Sequence, residues 1–514
     1  MEEINAAAFE TLVQWIRSKS GGHVHGSLEL RRSGLTRGVF AAKAIKKGES
    51  LITLPPGLVL SGEALASTYG ENRISSPWLR AIGAIYKARN EELDFNVYLR
   101  SLPARLETLM EWSTHEIGSY LAGTTVGAMV ILDREQKALE TRFNSAVRPY
   151  LASLGVIATS ALSESDEEDI DSFRYACMFV STRGFHLQQD DSQHDEYHGP
   201  FLLPCIDLLN HDSANTCTTL KRDPITKAFF MVSKRDIDAD EEILHSYGSH
   251  LTSDQVLQTF GFVPQYSIDF VSKDGGVVVE HHLSPASFSK DEIVQACKAV
   301  VQSNYVDNLR KAMDHNSMSE DDVWELDVHD QAIRDLSMIP DDLVVKSSEP
   351  LSDELITLCC LFFLPADVYE EVSNGGELSV LDRSILDDYF LGKLVCRAVL
   401  QAIRAKFERY DCLQIPGIDD GMCRDDKTLL CHILQNSVDR HRAVYGLTIR
   451  LEEKACLHAL RSEILRIIDM LDENTSFASA STVSPPCMQL ESEGQSTMEE
   501  PAEKKAKMIL SWEQ

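Results

Sequence analysis

Residues 201-FLLPCIDLLNHDSANTC-217 open as a nearly continuous apolar run and break at Asn210, His211 and Asp212. The apolar part has the make-up of a buried strand bounded by polar punctuation. Taken alone, the Asn-His-Asp break reads as a turn, because Asn and Asp side chains hydrogen-bond their own backbone and tolerate unusual dihedrals. Its surroundings change that weighting. Downstream, 242-EILHSYG-248 sets Tyr247 and Gly248 at the end of another short strand, before a helix and the aromatic pair of 259-TFGF-262. Upstream, 176-ACMFVSTRGF-185 ends a helix-like run on Arg183, and 33-SGLTRGVFAAKAIKKGE-49 supplies a glycine turn, a strand and a second turn.

The whole chain frames these pieces. At 514 residues it is larger than a single core usually grows, so two domains are expected. Hydrophobic residues make up 43% and aromatics 7%, the balance of a globular protein. Forty-nine basic against 80 acidic residues leave a formal charge of −31. That balance repels phosphate backbones, which argues against nucleic acid and for a basic protein partner, although much of it serves solubility. The 12 cysteines show no Cys-x-x-Cys pair, which favours free thiols in a reducing compartment. The start, MEEINAAAFETLVQW, reads as an amphipathic helix and not a secretory leader. No run approaches the roughly 20 apolar residues that span a bilayer, so a soluble protein is expected and no membrane partner.

Along the chain the period of the apolar residues changes twice. RGVFAAK, LITL and GLVL, punctuated by SGLTRG, KKGE and PPG, read as short strands. From about residue 75 the spacing turns helical: Trp78, Ile82 and Ile85 share one face, and Leu139, Phe143, Val147, Tyr150 and Leu154 another. Acidic runs at 163–171 and 188–199 read as solvated segments. Strands return in FLLPCIDLL, AFFMVS and EEILHSY. Beyond 285 the chain is helical again, with Cys396, Val399, Ile403, Phe407 and Tyr410 on one face and Leu457, Leu460, Ile464, Ile468 and Leu471 on another. The expected fold is α+β: an N-terminal helix and linker (1–26), a β-rich domain (27–265) with a helical insertion over about 72–172, an all-helical domain (285–472), and a tail (473–514) rich in Ser, Pro, Glu and Lys that is expected to be disordered.

Several chemistries lack their motifs. The glycines of 21-GGHVHG-26 follow a helix and read as a linker, not a dinucleotide loop. There is no phosphate-binding Gly-x-x-x-x-Gly-Lys and no Gly-x-Ser-x-Gly elbow. His186, His194 and His198 with Asp190, Asp191 and Asp195 could gather zinc, but such a polar run is more often a surface loop, and no metal is assigned.

In their order, the four quoted pieces resemble the SET-domain methyltransferases, in the branch related to the Rubisco large-subunit lysine methyltransferase. That branch splits its SET domain with a helical insertion and adds a helical substrate-binding domain, which the alternation of strand and helix patterns fits over about 25–470. The resemblance implies transfer of a methyl group from S-adenosyl-L-methionine to a lysine of a protein substrate docked on the helical domain, by a monomer in the cytoplasm or nucleus. It places Asn210 and His211 at the donor, Asp207 as a support, Arg183 against the donor carboxylate, and Gly38, Val39 and Phe40 where backbone approaches the donor. Phe262 and Phe260 would cover the adenine, although core packing explains them equally well. Tyr247 takes the place of the active-site tyrosine. Phe185 stands where histidine-methylating relatives carry asparagine, and an aromatic wall suits a lysine stem and its ammonium. A SET-like binding module without catalysis and a histidine methyltransferase are the alternatives.

Overall fold

The computed structural model describes residues 6–33, 36–61, 76–90, 95–103, 106–153, 167–188, 197–248, 250–273, 283–315, 339–364, 383–410, 425–436 and 440–478. Its strand-rich half is a set of small sheets, because each strand is short and changes partner at a turn. β1 (His23–Val24), β4 (Ser50–Leu54), β10 (Phe229–Ser233) and β9 (Thr218–Arg222) form one antiparallel sheet in the order β1-β4-β10-β9. β2 (Leu28–Ser33) pairs with β3 (Thr36–Ala41), and β5 (Leu60–Ser61), β7 (Tyr197–Leu202) and β6 (Gly184–Gln188) form a third unit in the order β5-β7-β6. β8 (Asn210–His211) and β11 (Leu244–His245) are two residues each and run parallel.

Alternation builds these strands: in β10 Phe229, Met231 and Ser233 are buried while Phe230 and Val232 are less so. The buried set joins Val39, Ala41, Leu51, Ile52, Leu54, Phe201 and Leu202 in one apolar cluster. The helix Ala6–Ser18 closes this core with Phe9, Leu12, Val13, Trp15 and Ile16.

Between β5 and β6 the described residues are mostly helical, from Pro77–Asn90 to Glu167–Arg183. Ile82, Ile85, Phe143 and Val147 are fully buried and Trp78 and Leu139 pack beside them, as the helical spacing requires. Phe143–Val147 form a single wider π turn. The last helix of the insertion delivers Arg183 directly into β6.

Among its described residues the C-terminal half is mostly helical, with one ribbon of β12 (Ala286–Ser289) and β13 (Asp342–Val345). Its core joins the helices Lys290–Gln302, Asp353–Phe363 and Tyr389–Tyr410 to the first turns past the middle of the long helix His441–Ala478. A further cluster of Trp112, Ile117, Leu257, Ile268, Leu430 and Leu447 ties the insertion and the helices after β11 to the start of that long helix.

Some expected boundaries move. The segment read as a linker, 21–26, contains β1, whose two residues are too short to show a period. The last helix continues through Ala478, past residue 472. Gln188 and Tyr197–Gly199 belong to strands, so the acidic segment is a connection between β6 and β7, and 189–196 lie outside the described residues. Residues 167–171 of the other acidic run are helical. The tail beyond 478, Leu154, His194, Asp190, Asp191 and Asp195 also lie outside the described residues. Among the described residues no helix is long and apolar enough to cross a membrane, and no group of three or more His, Cys, Asp or Glu is placed to hold a metal ion.

Candidate active site

The apolar run of the opening stretch ends in a buried single-turn helix, Ile206–Leu208, entered through Cys205 at φ 70°. This turn swings the chain so that Asn210 pairs with Leu244 and His211 with His245. The break in the run then divides its labour. Asp212 makes the turn, its Oδ1 accepting from the amides of Ala214 and Asn215 at 2.8 and 2.9 Å. Asn210 and His211, one step earlier, face β11 and the residues after it.

Tyr247 follows β11 by two residues and comes to lie across that pair. Its amide donates to His211 Nδ1 at 3.0 Å, and its hydroxyl donates to the Leu209 carbonyl at 2.8 Å. His211 Nδ1 is therefore the unprotonated ring nitrogen. The two rings stand 5.0 Å apart. Phe260 is 4.7 Å and Phe262 6.4 Å from the Tyr247 ring, and Phe262 is 6.2 Å from His211. Gly261 makes that aromatic wall possible. It ends the helix Ser253–Phe260 at φ 83°, and a Cβ there would sit 1.8 Å from the Glu107 carbonyl oxygen. A left-handed conformation and a close backbone neighbour together require glycine.

Arg183 and Asp207 support the pair from behind. Arg183 Nη1 donates to the Asp207 carbonyl at 2.8 Å and lies 3.3 Å from its Oδ2, which also accepts from the buried Tyr98 hydroxyl at 2.8 Å. Arg183 Nε and Asp207 Oδ1 are buried without a partner among the described residues. Burial pushes the Asp207 carboxyl up, against the pull of Arg183 and Tyr98. Burial also raises the Tyr247 phenol to about 12, with Arg183 opposing and Asp207 and Glu242 adding to it. It stays neutral at any working pH. His245, buried and beside His211, falls to about 4 and is likewise neutral. Phe185, on β6, stands 6.1 Å from the His245 ring.

Asn210, His211, Tyr247, Phe260 and Phe262 thus come together as one cluster, with Arg183 and Asp207 adjoining it and Phe185 facing His245. The β3 residues fit less directly. Val39 buries its side chain in the core and gives its carbonyl to the Ile243 amide. The Phe40 ring lies under the Arg31 guanidinium at 5.7 Å. Over Gly38 stands the Glu242 carboxylate, since a Cβ there would meet Glu242 Oε1 at 2.1 Å. Glu242 and Tyr98 are the members that sequence reasoning misses. Glu242 stands at the head of the quoted EILHSYG segment, so an acidic residue ahead of an apolar pair was the available signal; Tyr98 offers none.

Residues 36–248 match the model of the SET domain family. Over 283 residues the chain is 22% identical to ribosomal lysine N-methyltransferase 4 of Saccharomyces cerevisiae, covering 49% of this chain and 55% of that protein. It is 24% identical over 270 residues to the N-lysine methyltransferase setd6 of Salmo salar, covering 50% of this chain and 58% of that one. The chain thus spans little more than half the length of these relatives. The SET domain of LSMT bound to lysine and AdoHcy superposes with a TM-score of 0.59 over 92% of this chain and 94% of its own, at 14% identity. Rubisco LSMT bound to AdoMet superposes at 0.58, over 91% and 93%, at 15% identity. The likeness over nearly the whole length shows a shared fold.

Proposed function

From the SET domain that residues 36–248 of this chain carry, we propose that the protein transfers a methyl group from S-adenosylmethionine to a lysine side chain of a protein substrate. The observation that carries this reading is the parallel pairing of Asn210–His211 with Leu244–His245, which lays the Tyr247 phenol against the His211 ring. A donor of this kind has an adenine ring, an amino-acid end and a sulfonium between them. The residues present fit it: aromatic faces at Phe260 and Phe262, a polar edge at Asn210, and the buried Nε of Arg183.

The donor supplies an activated methyl group, and transfer needs little from the protein beyond alignment and the exclusion of water, which together supply roughly 7–11 kcal/mol. Tyr247 is fixed for that work by both its amide and its hydroxyl. As a neutral phenol it takes no proton from the substrate. The incoming lysine has an ordinary pKa of about 10.4 and must be neutral to attack, so a desolvated channel helps by lowering that value. The proton leaves to water, the new N–C bond forms as the donor's S–C bond breaks, and the rate should rise with pH without a Tyr247 limb. Phe185 is the wall for the lysine stem. On the same reading a basic protein region meets the acidic chain and docks on the helical half, the protein acts as a monomer, and its compartment is the cytoplasm or nucleus.

The test uses labelled S-adenosylmethionine with a cell extract. Wild type should label lysine. Tyr247→Phe should lower the rate by about 100-fold or more, the size of losing one oriented polar group, with calorimetric affinity for S-adenosylhomocysteine nearly intact. Asn210→Ala should lose that affinity. Label on histidine, or no label together with no donor binding, would replace the reading with one of its two alternatives.

A further inference from the structure

Asn210 has two amide hydrogens, and both are committed. Its Nδ2 lies 2.8 Å from the Arg37 carbonyl and 2.7 Å from Glu242 Oε1. A backbone carbonyl can only accept, and an ionised carboxylate can only accept, so this pair of neighbours fixes which end of the amide is nitrogen. Oδ1 must then point the other way, and no described residue donates to it. Asn210 is only partly buried, and its Oδ1 is not among the side-chain atoms that are both sealed from solvent and unpartnered. Glu242 is itself held in place: its backbone bridges to Phe40, and its carboxylate fills the space above Gly38.

We propose that Glu242 is a positioning residue that locks the Asn210 amide with its oxygen outward, so that the site offers an acceptor to the ammonium of the donor's amino-acid end. This rests on the methyltransferase reading above. Glu242 touches no ligand in this scheme. Its effect passes through Asn210, and the ligand it favours is one that brings N–H donors to that oxygen. Were the amide free to flip, half of its orientations would present N–H groups to an ammonium, which repels them.

The experiment compares two ligands by calorimetry on the full chain: S-adenosylhomocysteine, which has the amino-acid end, and 5′-methylthioadenosine, which lacks it. Glu242→Gln keeps the shape but can donate to Asn210 Oδ1 as well as accept from Nδ2, which loosens the lock and leaves the Arg37 carbonyl as the one obligatory acceptor. It should weaken S-adenosylhomocysteine about tenfold and change 5′-methylthioadenosine by less than about twofold. Glu242→Asp, still an acceptor, should recover part of the loss, and serves alone should the Gln variant fail to fold. Equal weakening of both ligands would make Glu242 merely structural, and no change in either would remove it from the site; both overturn the positioning role. A wild type that binds neither ligand instead overturns the donor-site reading beneath it.

Discussion

Gly38 is a tight point of the candidate site, and its nearest neighbour there, unlike that of Gly261, is the tip of a flexible side chain and not backbone. A Cβ would stand 2.1 Å from Glu242 Oε1 and 3.0 Å from Asn210 Nδ2. Gly38→Ala is therefore expected to push the Glu242 carboxylate aside at little cost to the fold, lowering the thermal midpoint by only a few degrees, while weakening S-adenosylhomocysteine about as much as Glu242→Gln does. Thermal melts paired with calorimetry check this; a variant that unfolds outright, or one with unchanged affinity, would contradict it. The same residues show what a sequence can disclose. Asn210, His211 and Tyr247 are legible because polar side chains at the ends of apolar runs are unusual, and two such ends in one chain narrow the choices. Glu242 and Tyr98 are not, since their roles exist only through partners 32 and 109 positions away. Gly38 was visible as a glycine within a strand, but what fills the space above it was not.

At the scale of elements, the helical insertion does more than interrupt the sheet. Tyr98, on the short helix Asn96–Arg100, reaches across to Asp207 on the turn that aims Asn210 and His211. Tyr98→Phe removes that bond and leaves the buried carboxyl to Arg183 alone. Losing one buried hydrogen bond costs about 1–3 kcal/mol. The sign of its pH dependence follows from Asp207, whose carboxyl burial already raises and which Tyr98 partly holds down. Without Tyr98 the folded value climbs further, and a raised carboxyl withdraws stability as pH rises through it. The deficit of the variant in urea titrations should thus widen as pH rises from below the ordinary carboxylate range through the raised Asp207 titration; a deficit constant at every pH would show that Asp207 does not feel the phenol. Elements with a sustained period, such as the faces of Ile82 and Ile85 or of Cys396, Val399 and Ile403, were readable because one repeated contact surface selects them. β1, β8 and β11 are two residues each, below any period, and only pairing with distant chain defines them.

The whole molecule is joined by the long helix His441–Ala478, which carries two adjacent buried carboxyls into the meeting place of the two halves. Glu452 accepts from Ser253 Oγ and from the amide and hydroxyl of Ser284. Glu453 Oε1 accepts from the Thr125 amide of the insertion at 2.9 Å, and its Oε2 from the Tyr410 hydroxyl. Burial raises each to about 7, with the hydrogen bonds, and for Glu453 also Lys406, acting the other way. A carboxyl raised in the folded state stabilises fully below its unfolded value near 4.5 and loses that contribution as pH climbs toward 7. Periodicity cannot reveal this, because a glutamate on the buried face of a helix looks like an error in the pattern until its partners are known. Glu453→Gln separates charge from shape: its carbonyl can still accept from Thr125 and its amide can donate to the Tyr410 oxygen. The thermal midpoint of the variant should match wild type at pH 5 and exceed it at pH 8, with the gap opening between about pH 5 and 7. A variant less stable than wild type at pH 8 would mean that Lys406 and the hydrogen bonds outweigh burial, and that the two halves are joined there by an ionised group.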